Sequence, residues 1–392
     1  MNAERQPRSA SIIVIADDFS GAAELANAAL QAGLSAEVQM HFCAGSGADV
    51  VCVDTETRSL PPEAAAALAG KVAQAIAAVH PELVYKKCDS VLRGPVAAES
   101  FAVARALGRN RVLLVPANPS RQRLIRGGEY FVEGTPLAQT TFATDPEYPR
   151  QTSRVIELLG IPPDNSPGIE TPDVVSAEDL SRLAATVDAG TLPAGGVDFF
   201  SMLLATKARP ARAKACGADH AMQAEGPSLF VCGSKTAWLA GRNEQCAQRG
   251  IQVCPMSRGL FELELREEIL SRWAASVAGA LRERGAALLA IGGEEPVPGV
   301  TPAMLIDRLS QAVELTLEQC APIRVFLEGG ATAAAVVRKL GFERFRAQPS
   351  PGSGVGALQP VGRKSPLFFT KPGSYPWPAA VWSCSSDSGF RV

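Results

Sequence analysis

The chain has 392 residues, of which 46% are hydrophobic and 20% charged, and its formal net charge is −2. At about 100–200 residues per domain this length predicts two domains, and the apolar content favours packed cores over disorder. The balanced charge argues against nucleic-acid binding, and no apolar run reaches the roughly 20 residues of a membrane span. The nine cysteines form no CxxC pair and the three histidines are scattered, which predicts free thiols in a reducing cytoplasm rather than disulfides or a zinc site.

The stretch 11–30 has the clearest structural pattern in the chain. Residues 12–16 form an apolar, mostly β-branched run without polar alternation, which is typical of a strand buried on both faces of a parallel sheet. An Ala/Leu-rich helix follows, with Ser20 as the expected N-cap and Gly33 as the expected residue after its end. The pattern therefore predicts a strand–turn–helix unit.

Asp17 and Asp18 lie on the turn between this strand and this helix. Ligands of open α/β sheets bind at the carboxyl ends of strands, which favours a functional role for the pair. The alternative is that these are ordinary helix-start acids, stabilised by the helix dipole. That explanation accounts for one carboxylate more easily than for two.

Strands and helices alternate along the first half of the chain. The predicted strands are 36–40, 49–54, 83–86 and 111–115, and the predicted helices are 62–80 and 96–107. This alternation predicts βαβ units and a mostly parallel sheet. The segment 121–134 interrupts the alternation and is expected to form a hairpin with a strand at 129–132.

A basic and then Gly/Ala-rich segment, 207–227, is the predicted linker between two α/β domains, 1–206 and 228–392. The second domain repeats the alternation. Its predicted strands are 229–232, 251–254, 286–291 and 324–328, and its predicted helices are 236–249, 262–284 and 302–319. We expect the polar edges of both domains to face a common cleft.

Four polar clusters follow strands in the first domain, at 17–18, 54–58, 86–93 and 118–126. Because the carboxyl ends of parallel strands meet at one edge of a sheet, these clusters are expected in one crevice that mixes acids with cations. Arginine holds carboxylates bidentately, and aspartate accepts hydrogen bonds from hydroxyls. The crevice therefore suits a small anionic, polyhydroxylated ligand, although any single cluster taken alone is typical of a solvated surface.

Glycines end three strands of the second domain, at 233, 292–293 and 329–330, and more glycines follow at 351–356. Glycine turns at helix N-termini bind phosphate through backbone amides. Neither GxGxxG after a strand nor GxxxxGK[ST] is present, and tight αβ turns explain each glycine pair equally well.

Several short motifs, in order and with their spacing, resemble the four-carbon acid sugar kinases, which include the 3-oxo-tetronate, threonate and erythronate kinases. Residues 16–22, ADDFSGA, are similar to the family's ADDxTGA, and residues 87–94, KCDSVLRG, to its KxDSTLRG. Pro116-Ala117-Asn118-Pro119, Arg123 and the segment 128–134 resemble its PAFPxxGR and GxxYVxG segments. Residues 233–234, 329–333 and 371–374 resemble its nucleotide-side motifs.

The resemblance implies a sugar-acid-binding first domain and a second domain that binds ATP with Mg²⁺. Of the two aspartates at the strand end, we expect Asp18 to be the catalytic base and Asp17 to orient the reacting groups. The expected substrate-binding residues are Arg58, Lys87, Asp89, Ser90, Arg93 and Arg123. The implied nucleotide-binding residues are Ser234, Gly329, Gly330, Ala331, Thr332 and Gly373.

The chain departs from the family pattern at three places. Ala331 stands where the family usually has an acid, Gln122 where it has a glycine, and Tyr375-Pro376-Trp377 where it has Phe-Gly. Two hypotheses therefore stay open. The first is ATP-dependent phosphorylation of a four-carbon sugar acid at a hydroxyl, the terminal one being preferred. The second is a sugar-acid-binding protein with lost or altered phosphotransfer. A homodimer is one oligomeric state that the resemblance allows.

Overall fold

The computed structural model describes residues 10–145, 148–161, 168–207, 226–352, 354–373 and 376–383. The chain divides into two compact units, Met1–Lys214 and Ala215–Val392. The predicted linker, 207–227, lies almost entirely outside the described residues, and its boundaries stay a prediction.

In the described part of the first unit, seven parallel strands form the main sheet. Their order across the sheet is β2-β3-β1-β4-β10-β5-β9. The strands are β1 (Ile12–Ala16), β2 (Ala36–Gln39), β3 (Val50–Asp54), β4 (Leu83–Lys87), β5 (Arg111–Val115), β9 (Ile169–Glu170) and β10 (Thr191–Gly195). The prediction of an α/β fold with mostly parallel strands is confirmed in this unit.

A small antiparallel sheet interrupts the alternation, as the segment 121–134 predicted. It consists of β6 (Arg123–Arg126), β7 (Glu129–Val132) and β8 (Thr135–Pro136). The helices of the unit are α1 (Phe19–Gln31), α2 (Pro62–Ala77), α3 (Val96–Ala106), α4 (Val155–Leu158), α5 (Ala177–Ala184) and α6 (Val197–Lys207). Short 3-10 helices lie at Pro119–Arg121, Leu137–Gln139 and Thr141–Thr144.

The start of α1 corrects one prediction. Its N-cap is Asp18, whose Oδ1 accepts a hydrogen bond from the backbone N–H of Gly21 at 2.8 Å, whereas Ser20 lies inside the helix. Aspartate caps helices as well as serine does, so the sequence around the turn offered both solutions. Gly33 follows the C-cap with φ +79°, as predicted.

The described residues of the second unit also form seven strands, in the order β12-β13-β11-β14-β17-β16-β15. The strands are β11 (Ser228–Cys232), β12 (Gln252–Pro255), β13 (Ala286–Ala290), β14 (Arg324–Glu328), β15 (Arg344–Gln348), β16 (Gly356–Pro360) and β17 (Leu367–Lys371). The first five strands in this order, which end with β17, pair in parallel. Strands β16 and β15 then continue the sheet in antiparallel pairs.

Helices cover the sheet of the second unit. They are α7 (Lys235–Leu239), α8 (Arg242–Ala247), α9 (Glu267–Arg284), α10 (Pro302–Gln319), α11 (Gly330–Lys339) and α12 (Ala379–Ser383), with a 3-10 helix at Arg258–Leu260. The single helix predicted at 236–249 is in fact two helices, because Gly241 between them has φ +84° and cannot continue a right-handed helix. The rings of Phe230, Phe326 and Phe369 stack in the core at centroid distances of 4.6 and 4.8 Å.

Across the described ranges, none of the helices combines the length and the apolar character that a bilayer crossing requires.

Candidate functional site

The sheet of the first unit brings three of the predicted polar clusters to one edge, and the fourth, 118–126, reaches them through Arg123, which contacts Ser90. Strand β1 lies between β3 and β4, and Ala16 pairs in register with Asp54 on one side and with Lys87 on the other. The chain places β2 and β3 on one side of β1 and then crosses to β4. This makes the carboxyl end of β1 a topological switch point, where open α/β sheets bind their ligands.

Arg58 joins the two aspartates of the β1–α1 turn. Its Nε lies 2.8 Å from Oδ2 of Asp17, and its Nη1 lies 2.6 Å from Oδ2 of Asp18. The backbone N–H groups of Thr57 and Arg58 also donate to the carbonyl of Asp17, at 3.1 and 3.2 Å. Two adjacent buried carboxylates are thus held together by one shared guanidinium.

The electrostatics keep Asp18 ionised. Burial by itself raises the pKa of Asp18, but Arg58, Lys87 and the hydrogen bonds from Ser20 and Gly21 lower it, and the net direction is down. Asp17 is also buried, and its Oδ1 has no hydrogen-bond partner among the described residues. A buried carboxylate oxygen normally receives a hydrogen bond, so this atom suits a ligand hydroxyl.

Asp89 and Arg93 form a second ion pair at the same edge. Nη2 and Nε of Arg93 lie 2.8 and 3.0 Å from the two carboxylate oxygens of Asp89, and its Nη1 lies 3.1 Å from Oδ2 of Asp145. Arg58 approaches Asp89 to 3.8 Å and links the two pairs. Burial raises the pKa of Asp89, but Arg93 and Arg58 outweigh it and hold that pKa well below its usual range.

The remaining predicted cations also have partners in this unit. Nζ of Lys87 donates to the carbonyl of Cys88 at 2.7 Å and lies 3.7 Å from Glu24. Arg123 contacts the hydroxyl of Ser90. The guanidiniums of Arg93 and Arg123 both lie over the ring of Phe142, at 6.0 and 5.7 Å.

A buried pair supports the loop that carries Arg58. Lys86 and Glu99 are each 1% exposed, and Nζ of Lys86 lies 2.7 Å from Oε2 of Glu99. The same carboxylate accepts a hydrogen bond from the hydroxyl of Thr57 at 2.9 Å. Thr57 precedes Arg58, so this pair fixes the backbone from which the guanidinium reaches the two aspartates.

Sequence reasoning missed Glu24, Glu99 and Asp145. Glu24 pairs with Arg121 at 2.7 Å and lies near Lys87. Asp145 falls in a segment whose irregular composition gave no signal. For Glu99 a usable signal was present, because a lysine predicted on a fully buried strand needs a buried carboxylate as its partner.

Gln122 illustrates one of the departures from the family pattern. It has φ +53° and ψ +34°, a left-handed conformation that a residue with a Cβ adopts at some cost. Glycine takes this conformation without strain, which explains the usual glycine at this position.

The second unit brings its predicted nucleotide residues together at its own switch point, between β11 and β14. A Cβ on Gly233 would collide with the hydroxyl of Thr332, and a Cβ on Gly329 would lie 3.6 Å from the same oxygen. Gly329 has φ +100° and caps α11. These two glycines and Thr332 therefore form one small cradle at a helix N-terminus, the arrangement that binds phosphate.

Ser234 and Gly373 adjoin the cradle from neighbouring strands. A Cβ on Gly373 would lie 3.5 Å from Oγ of Ser234, which accepts a hydrogen bond from the backbone N–H of Ala237 at 3.1 Å. Ala331 is exposed on the first turn of α11. Gly293 serves another purpose, because a Cβ at this position would lie only 3.0 Å from Nε1 of Trp238.

Comparison with known proteins identifies relatives of this chain. Residues 12–164 match the family model of a sugar-binding N-terminal domain. The chain is 30% identical to a D-threonate kinase of Bordetella bronchiseptica over 83% of its length and 84% of that protein. It is 27% identical to a 3-oxo-tetronate kinase of Methylobacterium radiotolerans over 91% of its length and 93% of that protein.

A solved Haemophilus influenzae protein, from a domain family of unknown function, shares the fold. Its TM-score is 0.67 at 18% identity, over 95% of this chain and 98% of that one. The kinase relatives match most of the chain in sequence, and this solved protein matches its α/β fold. The chain belongs to the family of the four-carbon acid sugar kinases, as its motifs predicted.

Proposed function

We propose that this protein transfers the γ-phosphoryl group of ATP to a hydroxyl of a four-carbon sugar acid, preferentially the terminal one. The single observation that carries the proposal is the clamp of Asp17 and Asp18 by Arg58 at the carboxyl end of β1. Phosphoryl transfer needs positioning, charge neutralisation and a group that takes the hydroxyl proton. In the proposed mechanism, Asp18 accepts that proton and Asp17 orients the acceptor through its unpartnered oxygen.

The proposed acid site uses cations that already have partners. Arg93 is bonded to Asp89 and Asp145, and Arg123 to Ser90. A substrate carboxylate would therefore share these guanidiniums with their carboxylate or hydroxyl partners instead of meeting isolated charges. Arg58, Lys87, Asp89 and Ser90 complete the proposed acid-binding set. Such a site discriminates between sugar acids by their geometry. The hydroxyls of the substrate must replace water on protein oxygens whose positions are already fixed.

The residues of the second unit fit the phosphates of ATP. The backbone amide of Gly330, the hydroxyls of Ser234 and Thr332, and the close approach permitted at Gly373 suit an anion at the start of α11. Ala331 contributes only its backbone to this proposed site.

The side chains of the proposed nucleotide site fit Mg²⁺ less well than they fit the phosphates. Within the described ranges, no group of three or more His, Cys, Asp or Glu side chains could hold a metal, and Ala331 supplies no carboxylate. Mg²⁺ commonly stays hydrated and binds through substrate phosphates. We therefore propose that it arrives with ATP and neutralises phosphate charge there. A cytoplasmic location and a homodimer stay predictions from the sequence.

The second candidate function, acid binding without phosphotransfer, is favoured by one observation. Ala331 is exposed at the first turn of α11, where the family usually has an acid. If that acid normally helps to place Mg²⁺, this chain would bind both ligands and still turn over slowly. The kinase proposal accordingly expects a kcat at or below the roughly 1–100 s⁻¹ of typical kinases.

The deciding experiment measures ADP release with threonate, erythronate and 3-oxo-tetronate isomers, and thermal shift with the same acids. We expect at least one acid to raise ADP formation above the rate with ATP alone. If acids raise the melting temperature, as ligands of the native state do, but none stimulates ADP release, the binding-protein function is the correct one.

Gly21→Ala is expected to lower kcat by about tenfold to a hundredfold, the scale of a small misplacement at a reacting centre. A Cβ at residue 21 would lie 2.7 Å from Oδ1 of Asp18 and would push that carboxylate away. The measurement is steady-state ADP release, together with the melting temperature.

Gly70→Ala is the matched control for this variant. Residue 70 lies inside α2, and a Cβ there would meet Ala102 at an ordinary 3.6 Å. We expect Gly70→Ala to stabilise the protein by about 0.5–1 kcal/mol and to leave kcat unchanged. Equal kcat in both variants would contradict the assigned role of Asp18.

A further inference from the structure

A buried ionic cluster lies directly behind the nucleotide cradle of the second unit. Glu328 ends β14 and Lys371 ends β17, and the two residues pair in register on neighbouring strands. Nζ of Lys371 lies 2.6 Å from Oε1 of Glu328. Arg242 binds the same carboxylate through Nη2 at 2.8 Å and Nε at 2.9 Å. Their exposed fractions are 2% for Glu328, 0% for Lys371 and 8% for Arg242.

The cluster adjoins both glycine turns. Glu328 directly precedes Gly329, and Lys371 lies two residues before Gly373. The backbone N–H of Gly329 donates to the carbonyl of Lys371 at 3.0 Å, which ties the two turns together. The ion pair and this backbone hydrogen bond therefore connect the residues from which the two turns begin.

The three side chains carry one more positive charge than negative. Two cations share one carboxylate, and Glu328 and Arg242 are the charged side chains that act most strongly on Lys371. The pKa of Lys371 lies below its ordinary value, because burial and the charge of Arg242 lower it more than Glu328 raises it. The ring of Trp377 lies 5.1 Å from Nζ and stabilises the ammonium by a cation–π contact.

We propose that Glu328, Lys371 and Arg242 form a positioning cluster for the polyphosphate of ATP, whose negative charge balances the unpaired positive charge of the cluster. The proposal rests on the nucleotide site proposed above. Lys371 has no exposed surface, so it acts through the turns and through its field and not by direct contact. Low-polarity surroundings strengthen that field. Trp377, which lies in a segment that departs from the family pattern, contacts this cluster through its ring.

Lys371→Met removes the excess charge and leaves the Glu328–Arg242 pair. We expect the affinity for ATP, measured by calorimetry without acceptor, to fall by about tenfold or more, the scale of one charged interaction. The affinity for AMP is expected to fall much less, because AMP carries fewer charges. A purely structural role would weaken both nucleotides alike.

Two further variants sharpen the test. The double variant Glu328→Gln/Lys371→Met restores the net charge through Arg242 alone, and we expect it to recover part of the ATP affinity that Lys371→Met loses. Lys339→Met is the control, because it removes one exposed cation from the last turn of α11. It is expected to bind both nucleotides like the unmodified protein.

If Lys371→Met does not fold, inorganic tripolyphosphate decides the question on the unmodified chain. It is expected to raise the melting temperature and to compete with ATP. Three results would overturn this inference and leave the proposed nucleotide site standing. They are an unchanged ATP affinity in folded Lys371→Met, equal losses of affinity for ATP and AMP in that variant, and a chain that binds ATP but not tripolyphosphate. A chain that binds neither ATP nor tripolyphosphate overturns the nucleotide site and the inference together.

Discussion

Asp18→Asn is expected to lower kcat for sugar-acid phosphorylation by about 10²–10⁴-fold, the usual contribution of a general base. Asparagine caps helices as well as aspartate does, so the start of α1 should survive the change. The affinity for ATP should stay the same, because the proposed nucleotide-binding residues lie in the other unit of the chain. Steady-state ADP release and calorimetry with ATP measure the two quantities.

Two control variants test whether the loss of kcat is specific to Asp18 or follows from the removal of a carboxylate elsewhere in the protein. Asp17→Asn keeps Asp18 intact and is expected to cost less in kcat, since Asp17 is assigned to orientation. Asp179→Asn changes an acid near the N-terminus of α5 that bonds Val175, Ser176 and Arg182, and it should leave kcat unchanged. A larger loss in Asp17→Asn than in Asp18→Asn would exchange the two assignments.

Arg58→Leu is expected to destabilise the protein by about 3–5 kcal/mol at neutral pH, the cost of breaking a buried ion pair. The side chain of Arg58 is 19% exposed, and those of Asp17 and Asp18 are 3% and 11% exposed. Without the guanidinium, two adjacent carboxylates keep their charge in a poorly solvated place. Urea unfolding measures the change.

The pH dependence of this loss gives a sharper test. In the unmodified protein the pKa values of Asp18 and Asp89 are lowered, so their contribution to stability is present above the unfolded pKa, about 3.9, and is lost as the pH falls through the folded values. In Arg58→Leu we expect at least one of the paired aspartates to have a raised pKa. The destabilisation caused by this ionised, unpaired carboxylate is then complete above the raised pKa, and it decreases as the pH falls and the carboxylate is protonated.

The difference in unfolding free energy between the two proteins should therefore narrow from pH 7 towards pH 4. A constant difference would show that lost packing, and not charge, causes the destabilisation. Arg111→Leu is the control, because its partner Glu170 is half exposed and such pairs contribute about 0–1 kcal/mol.

The elements of the fold could largely be predicted from the sequence, because their signals are local. The run that forms β1 is fully buried, as its β-branched composition predicted. Helix α10 has the predicted bounds, since Thr301 caps it and Pro302 suits its first turn. The position of Asp17 and Asp18 follows from the same logic, because a turn between a buried strand and a helix is visible in the composition alone.

The partners of the site residues were decided only by the tertiary structure. Arg58 lies about forty positions from the aspartates that it clamps, and Lys371 lies 43 positions from Glu328. These pairs exist because β3 pairs beside β1 and β17 beside β14, an order that no local pattern encodes. Propensity acts over a few residues, whereas burial forces each distant charge to find a partner. The sequence by itself thus determined which residue types stand at the strand ends, and only the folded sheets decided which of them neutralise each other.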